Sequence, residues 1–114
     1  MNSKRIIATL TIILSCTGFS YSAMSAESVK GDADAGKTKA ILCAGCHGLS
    51  GEGLVIAGGQ VSFPALAGQV PGYFIKSIYT YRNNERNDAM MRAIALGLSD
   101  VDIVNLAAYY ASLK

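Results

Sequence analysis

The chain has 114 residues, 51% of them hydrophobic, with a formal net charge of +2 and a single histidine. That length suits one small domain. The basic surplus is Lys4 and Arg5 alone, and residues 27–114 carry eight basic and eight acidic side chains, so the charge gives no support for nucleic-acid or other polyanionic partners.

In chain order, Lys4-Arg5 precedes the apolar run Ile6 to Leu14, which is too short to span a bilayer as a mature helix. Small residues follow in Ser22-Ala23-Met24-Ser25-Ala26. Residues 1–26 therefore read as a secretory signal, cleaved after Ser25 or Ala26, and residues 27–114 as a single mature domain. A rival reading takes Ile13-Leu14-Ser15-Cys16 as a bacterial lipobox, with Cys16 lipidated. The first implies a protein free in the periplasm, the second a lipoprotein anchored to a membrane and facing the periplasm. The ordinary signal is preferred, because the Ser/Ala-rich stretch offers a processing site of its own.

Residues 27–31 look like a frayed leader. Asp32 can cap a helix over residues 32–42, rich in Ala, Lys and Leu. Gly36 inside it costs about 1 kcal/mol relative to Ala, which points to a packing reason. The helix runs straight into Cys43-Ala44-Gly45-Cys46-His47.

C-x-x-C-H reads as a covalent haem attachment site. Two thiols three residues apart can each form a thioether to one haem vinyl group, and the adjacent imidazole then serves as proximal iron ligand. A thioredoxin-like pair would want a βαβ setting, which this sequence lacks. A structural zinc site would need a second ligand pair, and His47 is the sole histidine. A thin core of this size is also well served by a large buried cofactor.

Residues 47–69 hold six glycines and show neither strand alternation nor helical period, so they read as loop. Leu54, Val55, Ile56, Phe63 and Leu66 make that loop apolar enough to fold over something flat, with the haem as candidate and ordinary core packing as the alternative. Pro71 suits the first turn of a helix over about residues 72–82, with Phe74, Ile75, Ile78, Tyr79 and Tyr81 as its buried stripe. After a polar connector, Asn87 or Asp88 caps a helix over residues 89–96 that Gly97 ends. Ser99 and Asp102 form a capping-box pattern opening a last helix to about Leu113. The fold class is all-α, with about four short helices and a Gly-rich loop around one haem.

An electron carrier needs a second axial ligand, and no second histidine exists, so the candidates are methionine, lysine or the N-terminus. After signal removal the methionines are Met90 and Met91, of which at most one reaches the iron. A thioether is soft and favours Fe(II); the competing role for both is core filling. Arg82, Arg86 and Arg92 read as solvated, one of them a candidate to meet a haem propionate. Asp100 and Asp102 read as helix-start residues rather than a catalytic pair.

With those residues in place, the mature chain resembles a small bacterial class I cytochrome c. The resemblance rests on Gly36, Cys43-x-x-Cys46-His47-Gly48, Phe63-Pro64-Ala65-Leu66-Ala67-Gly68-Gln69, Met90-Met91, Leu98-Ser99-Asp100-Val101-Asp102-Ile103 and Leu106-Ala107-Ala108-Tyr109-Tyr110. It is similar to one half of the two-haem cytochromes of subclass four. The resemblance implies one covalently bound haem c per chain, with Cys43 and Cys46 as thioether residues and His47 and Met91 as axial ligands, Met90 being the alternative to Met91. It also implies that the Pro64 carbonyl accepts the His47 Nδ1–H, and that Gly36 meets Tyr109 where the first and last helices cross. Leu54 to Ser62 departs from the family pattern, being long and apolar for that loop.

The function implied is a periplasmic mono-haem carrier, not an enzyme, passing single electrons between redox protein partners. Three rivals stand beside it: a cytochrome subunit of a larger dehydrogenase or oxidase complex, an open-site haem enzyme or gas sensor, and a haem-free thiol protein with its C-x-x-C oxidised.

Overall fold

The computed structural model describes residues 30–113. The signal segment, Cys16 and both cleavage positions lie outside the described residues. Helix α1, Ala33–Lys39, starts where Asp32 accepts hydrogen bonds from the backbone N–H groups of Asp34 and Ala35. That satisfies two of the donors a helix leaves open at its N-terminus. The helix does not continue unbroken into the cysteine motif. It turns at Ala40, and α2, Ile41–His47, starts afresh. Ala40 is buried in the core, while the two residues that follow it, Ile41 and Leu42, are exposed.

The Gly-rich stretch also differs from the expected loop. Strands β1, Leu54–Ile56, and β2, Val61–Phe63, pair antiparallel, with Leu54 opposite Phe63 and Ile56 opposite Val61. A single 3-10 turn, Ala57–Gly59, joins them with positive φ at Ala57, Gly58 and Gly59. The hairpin is short and mostly exposed, and the architecture remains overwhelmingly helical. Beyond it the chain folds back onto the Gly51 carbonyl, which accepts from the N–H groups of Leu66 and Ala67. Gly68 N–H then donates to the Tyr110 carbonyl and ties the loop to the last helix.

Helix α3, Pro71–Arg82, has its proline at the first position, where the missing N–H costs nothing. Helix α4, Ala89–Leu96, is capped by Asp88, which accepts from Met91 N–H. Helix α5, Asp100–Ser112, opens with the full reciprocal capping box between Ser99 and Asp102. The core lies where α5 packs against α1 and α3, with α4 closing on α3. Ile103, Leu106, Ala107 and Tyr110 present one face of α5 to Phe74, Ile78, Ala95 and Leu98.

Gly36 is the contact point of α1 and α5. A β-carbon there would collide with the Asn105 carbonyl and stand 2.8 Å from Tyr109 Cβ. The helix-interior glycine thus allows two backbones to approach, with Tyr109 flanking the crossing as expected.

Arg82 departs from the solvated role. Its Nε donates to the Ala95 carbonyl at 3.2 Å, one terminal nitrogen to the Leu98 carbonyl at 2.6 Å and the other to Asp100 at 2.7 Å. It clamps the turn between α4 and α5 to the end of α3. Asp100 accordingly is both a helix-start residue and the clamp's anion.

Candidate haem site

Helix α2 sets the spacing of the motif. Cys43 and Cys46 lie three residues apart on it, and His47 is its last residue. The helix stops because Gly48 takes φ +86°, a conformation that glycine adopts without the clash a β-carbon brings. From there the chain turns away and returns through β2 to Pro64.

His47 is the one buried polar or charged side chain among the described residues, 6% exposed. Its Nδ1 lies 2.7 Å from the Pro64 carbonyl oxygen. A carbonyl can only accept, so Nδ1 carries a proton and donates it, and in the neutral ring Nε2 then has its lone pair for a metal. The Phe63 ring meets the imidazole edge-on, with centroids 6.2 Å apart. The sequence did not single out that edge contact, and its only signal is the aromatic directly before Pro64.

His47, Cys43, Cys46, Pro64 and both methionines line one cavity of about 500 Å³. Leu66, Phe74, Ile78, Ile94, Leu98 and Leu106 supply apolar walls. The two methionines differ: Met90 is 60% exposed, whereas Met91 is half-buried and packs against the core. Asp88, by accepting from Met91 N–H at 2.9 Å, ties the cap of α4 to that position.

The Cys43 thiol is pushed up from its ordinary pKa, first by burial and then by the neighbouring Cys46, with the Tyr110 hydroxyl pulling the other way. Tyr110 is raised as well, chiefly by burial and by Cys43 beside it. Cys43 is therefore a neutral thiol near neutral pH, lying against the phenol of a core residue. Tyr110 was legible as a core position on α5, but its place beside Cys43 was not. Among the described residues, no three His, Cys, Asp or Glu side chains converge as a metal cluster would require, which argues against zinc there.

The residues fit a covalently held haem. Two thiols at the required spacing, an imidazole with a free Nε2, a thioether from another helix and an apolar cavity within the usual size range for cofactor sites are brought together.

Comparison with known proteins points the same way. A family model described as "Cytochrome c" matches residues 33–114. Cytochrome c-554(548) of Halomonas halodenitrificans is 45% identical over 85 residues, covering 72% of this chain and 96% of that protein. Cytochrome c4 of Pseudomonas aeruginosa is 34% identical over 111 residues, 97% of this chain but 49% of that protein. The solved structure of Acidithiobacillus ferrooxidans cytochrome c4 superposes with a TM-score of 0.62 at 32% identity, covering 76% of this chain and 53% of that one. The chain thus spans about half the length of the cytochrome c4 relatives and nearly all of the c-554(548) protein.

Proposed function

The chain belongs to the cytochrome c family, and from that premise we propose that it is a mono-haem electron carrier exported to the bacterial periplasm. Haem c, bound covalently, supplies a one-electron Fe(II)/Fe(III) couple. In this reading Cys43 and Cys46 are the thioether residues, His47 Nε2 is the proximal ligand and Met91 the distal one, with Met90 as the alternative. The mature domain is residues 27–114, and the basic-then-apolar segment Lys4 to Leu14 supports export.

Each residue has a physical task. The Nδ1–H bond to Pro64 holds the imidazole plane and makes Nε2 the more basic donor. A methionine sulfur has no proton to exchange at neutral pH and is a soft donor, so it favours the reduced state. The apolar walls keep water from the cavity and, by low polarity, also favour the state of lower charge. With His47 and Met91 both holding the iron, a bound haem would have no open coordination site, which would suit electron transfer to redox protein partners rather than substrate chemistry.

The observation that carries the reading is that the tied imidazole, both thiols and the half-buried Met91 line one cavity. Potentiometric titration of the haem-loaded protein, followed in the visible spectrum, tests it. A single reversible one-electron wave with a c-type spectrum is expected. An irreversible wave, or turnover of a small-molecule substrate at the iron, would contradict it. Among the described residues no helix is long and apolar enough to cross a membrane. Fractionation of cells expressing the full chain distinguishes release into the periplasm from membrane anchoring through Cys16.

A further inference from the structure

Tyr110 is 1% exposed, and its ring packs against those of Phe74 and Tyr109, with centroids 5.6 Å and 5.1 Å away. Gly51 lies against its edge, where a β-carbon would stand 2.6 Å from Tyr110 Cε1. The same residue is tied to the loop through its carbonyl, which accepts from Gly68 N–H at 2.7 Å. Ring and backbone are thus both fixed, and the hydroxyl with them.

An aromatic that only filled space here could be phenylalanine, as at position 74. A phenol carries a hydroxyl whose burial costs stability unless a partner accepts its proton. Among the described residues no buried side-chain oxygen or nitrogen is left without a partner. The group within hydrogen-bond reach of this hydroxyl is the half-buried Cys43 sulfur, which also lines the cavity. Chemistry sets the direction of the bond. Thioether formation adds the Cys43 S–H across a haem vinyl group, sulfur to one carbon and hydrogen to the other. A sulfur so bonded has no proton left and can only accept, so the hydroxyl donates.

We propose that the Tyr110 hydroxyl donates a hydrogen bond to the Cys43 thioether sulfur, making Tyr110 a positioning residue for that covalent link and a tuning residue for the iron. This rests on the haem reading above and goes beyond it. A donor on the sulfur draws electron density out of the macrocycle, which favours the reduced state.

The test uses the haem-loaded full chain as wild type, Tyr110→Phe and Tyr109→Phe. The last removes the neighbouring hydroxyl, on a residue whose Cβ faces Gly36 at the helix crossing. Two properties are measured: the carbon–sulfur stretching bands of the thioethers by resonance Raman, and the midpoint potential. Tyr110→Phe keeps the ring and should move one carbon–sulfur band. It should also raise the ratio of oxidised to reduced protein about threefold at a fixed ambient potential, a part of what a neutral hydrogen bond contributes. Tyr109→Phe should change neither property. In the wild type, full exchange into D2O should move the same band, a reading that needs no substitution. An unmoved band in Tyr110→Phe or in D2O, or equal changes in Tyr109→Phe, would overturn the proposal and leave the haem reading standing. Failure of the wild-type chain to take up covalent haem would instead overturn both.

Discussion

Replacing Gly36 with alanine should destabilise the haem-loaded protein, although it substitutes the best helix former for one of the poorest. In an exposed helix the change would gain about 1 kcal/mol. Here the new β-carbon would collide with the Asn105 carbonyl and approach Tyr109 Cβ to 2.8 Å. The Asn105 obstacle is backbone of α5, so no side-chain rotation relieves it and the two helices must separate. Overpacking of that kind costs about 3 kcal/mol at the upper end of its usual range. The net loss is therefore about 2 kcal/mol, or a drop on the order of 10 °C in Tm for a domain of this size. Thermal unfolding monitored by circular dichroism on the oxidised holoprotein measures it. A Tm equal to or above wild type would refute the close approach of α1 and α5 on which the fold description depends.

Met91→Ala should make the reduced holoprotein bind carbon monoxide rapidly, while Met90→Ala, at a site 60% exposed, should leave it as unreactive as wild type; visible spectra before and after the gas distinguish the two. Arg82→Met should cost about 2–3 kcal/mol in chemical denaturation, because the carbonyls of buried Ala95 and Leu98 lose charged donors. Ser99→Ala removes the capping hydroxyl of α5 and should cost about 1 kcal/mol in the same assay. Acid stability follows from two carboxyls held below their ordinary range, Asp100 by the Arg82 guanidinium and Asp102 by the Ser99 backbone and hydroxyl. A carboxylate whose folded pKa is depressed stabilises the fold fully above its unfolded value, about 3.9 for Asp, and the contribution is lost as pH falls through the folded value. Tm should thus decline from about pH 4 downward, and Arg82→Met should flatten that decline; an unchanged slope would count against the clamp.

Signals that act within a few residues were legible. Asp32, Asp88 and the Ser99–Asp102 pair cap the helices expected of them, and Pro71 starts α3. The C-x-x-C-H motif needs no tertiary knowledge either. The Pro64 contact does, since it joins residues 17 apart at 2.7 Å, and in the sequence only the family resemblance points to it. The break at Ala40 has no local signal, because alanine is the best helix former. The break accompanies burial of Ala40 in the core while Ile41 and Leu42 stay 77% and 56% exposed. The hairpin escaped for a related reason: Leu-Val-Ile and Val-Ser-Phe are three residues each and mostly exposed, so neither alternates between buried and open faces. Arg82 reads as a surface cation until the carbonyls of Ala95 and Leu98, 13 and 16 residues on, are seen to receive it.

The central claim is that this chain fills both axial positions of its haem with its own side chains, His47 and Met91. The most direct measurement is the visible spectrum of the reduced, haem-loaded wild-type protein before and after exposure to carbon monoxide. The account predicts a c-type spectrum that barely changes, as a Met91 thioether in the sixth position would require. A rapid and complete shift would mean an open coordination site, and would contradict the electron-carrier reading in favour of a haem enzyme or gas sensor.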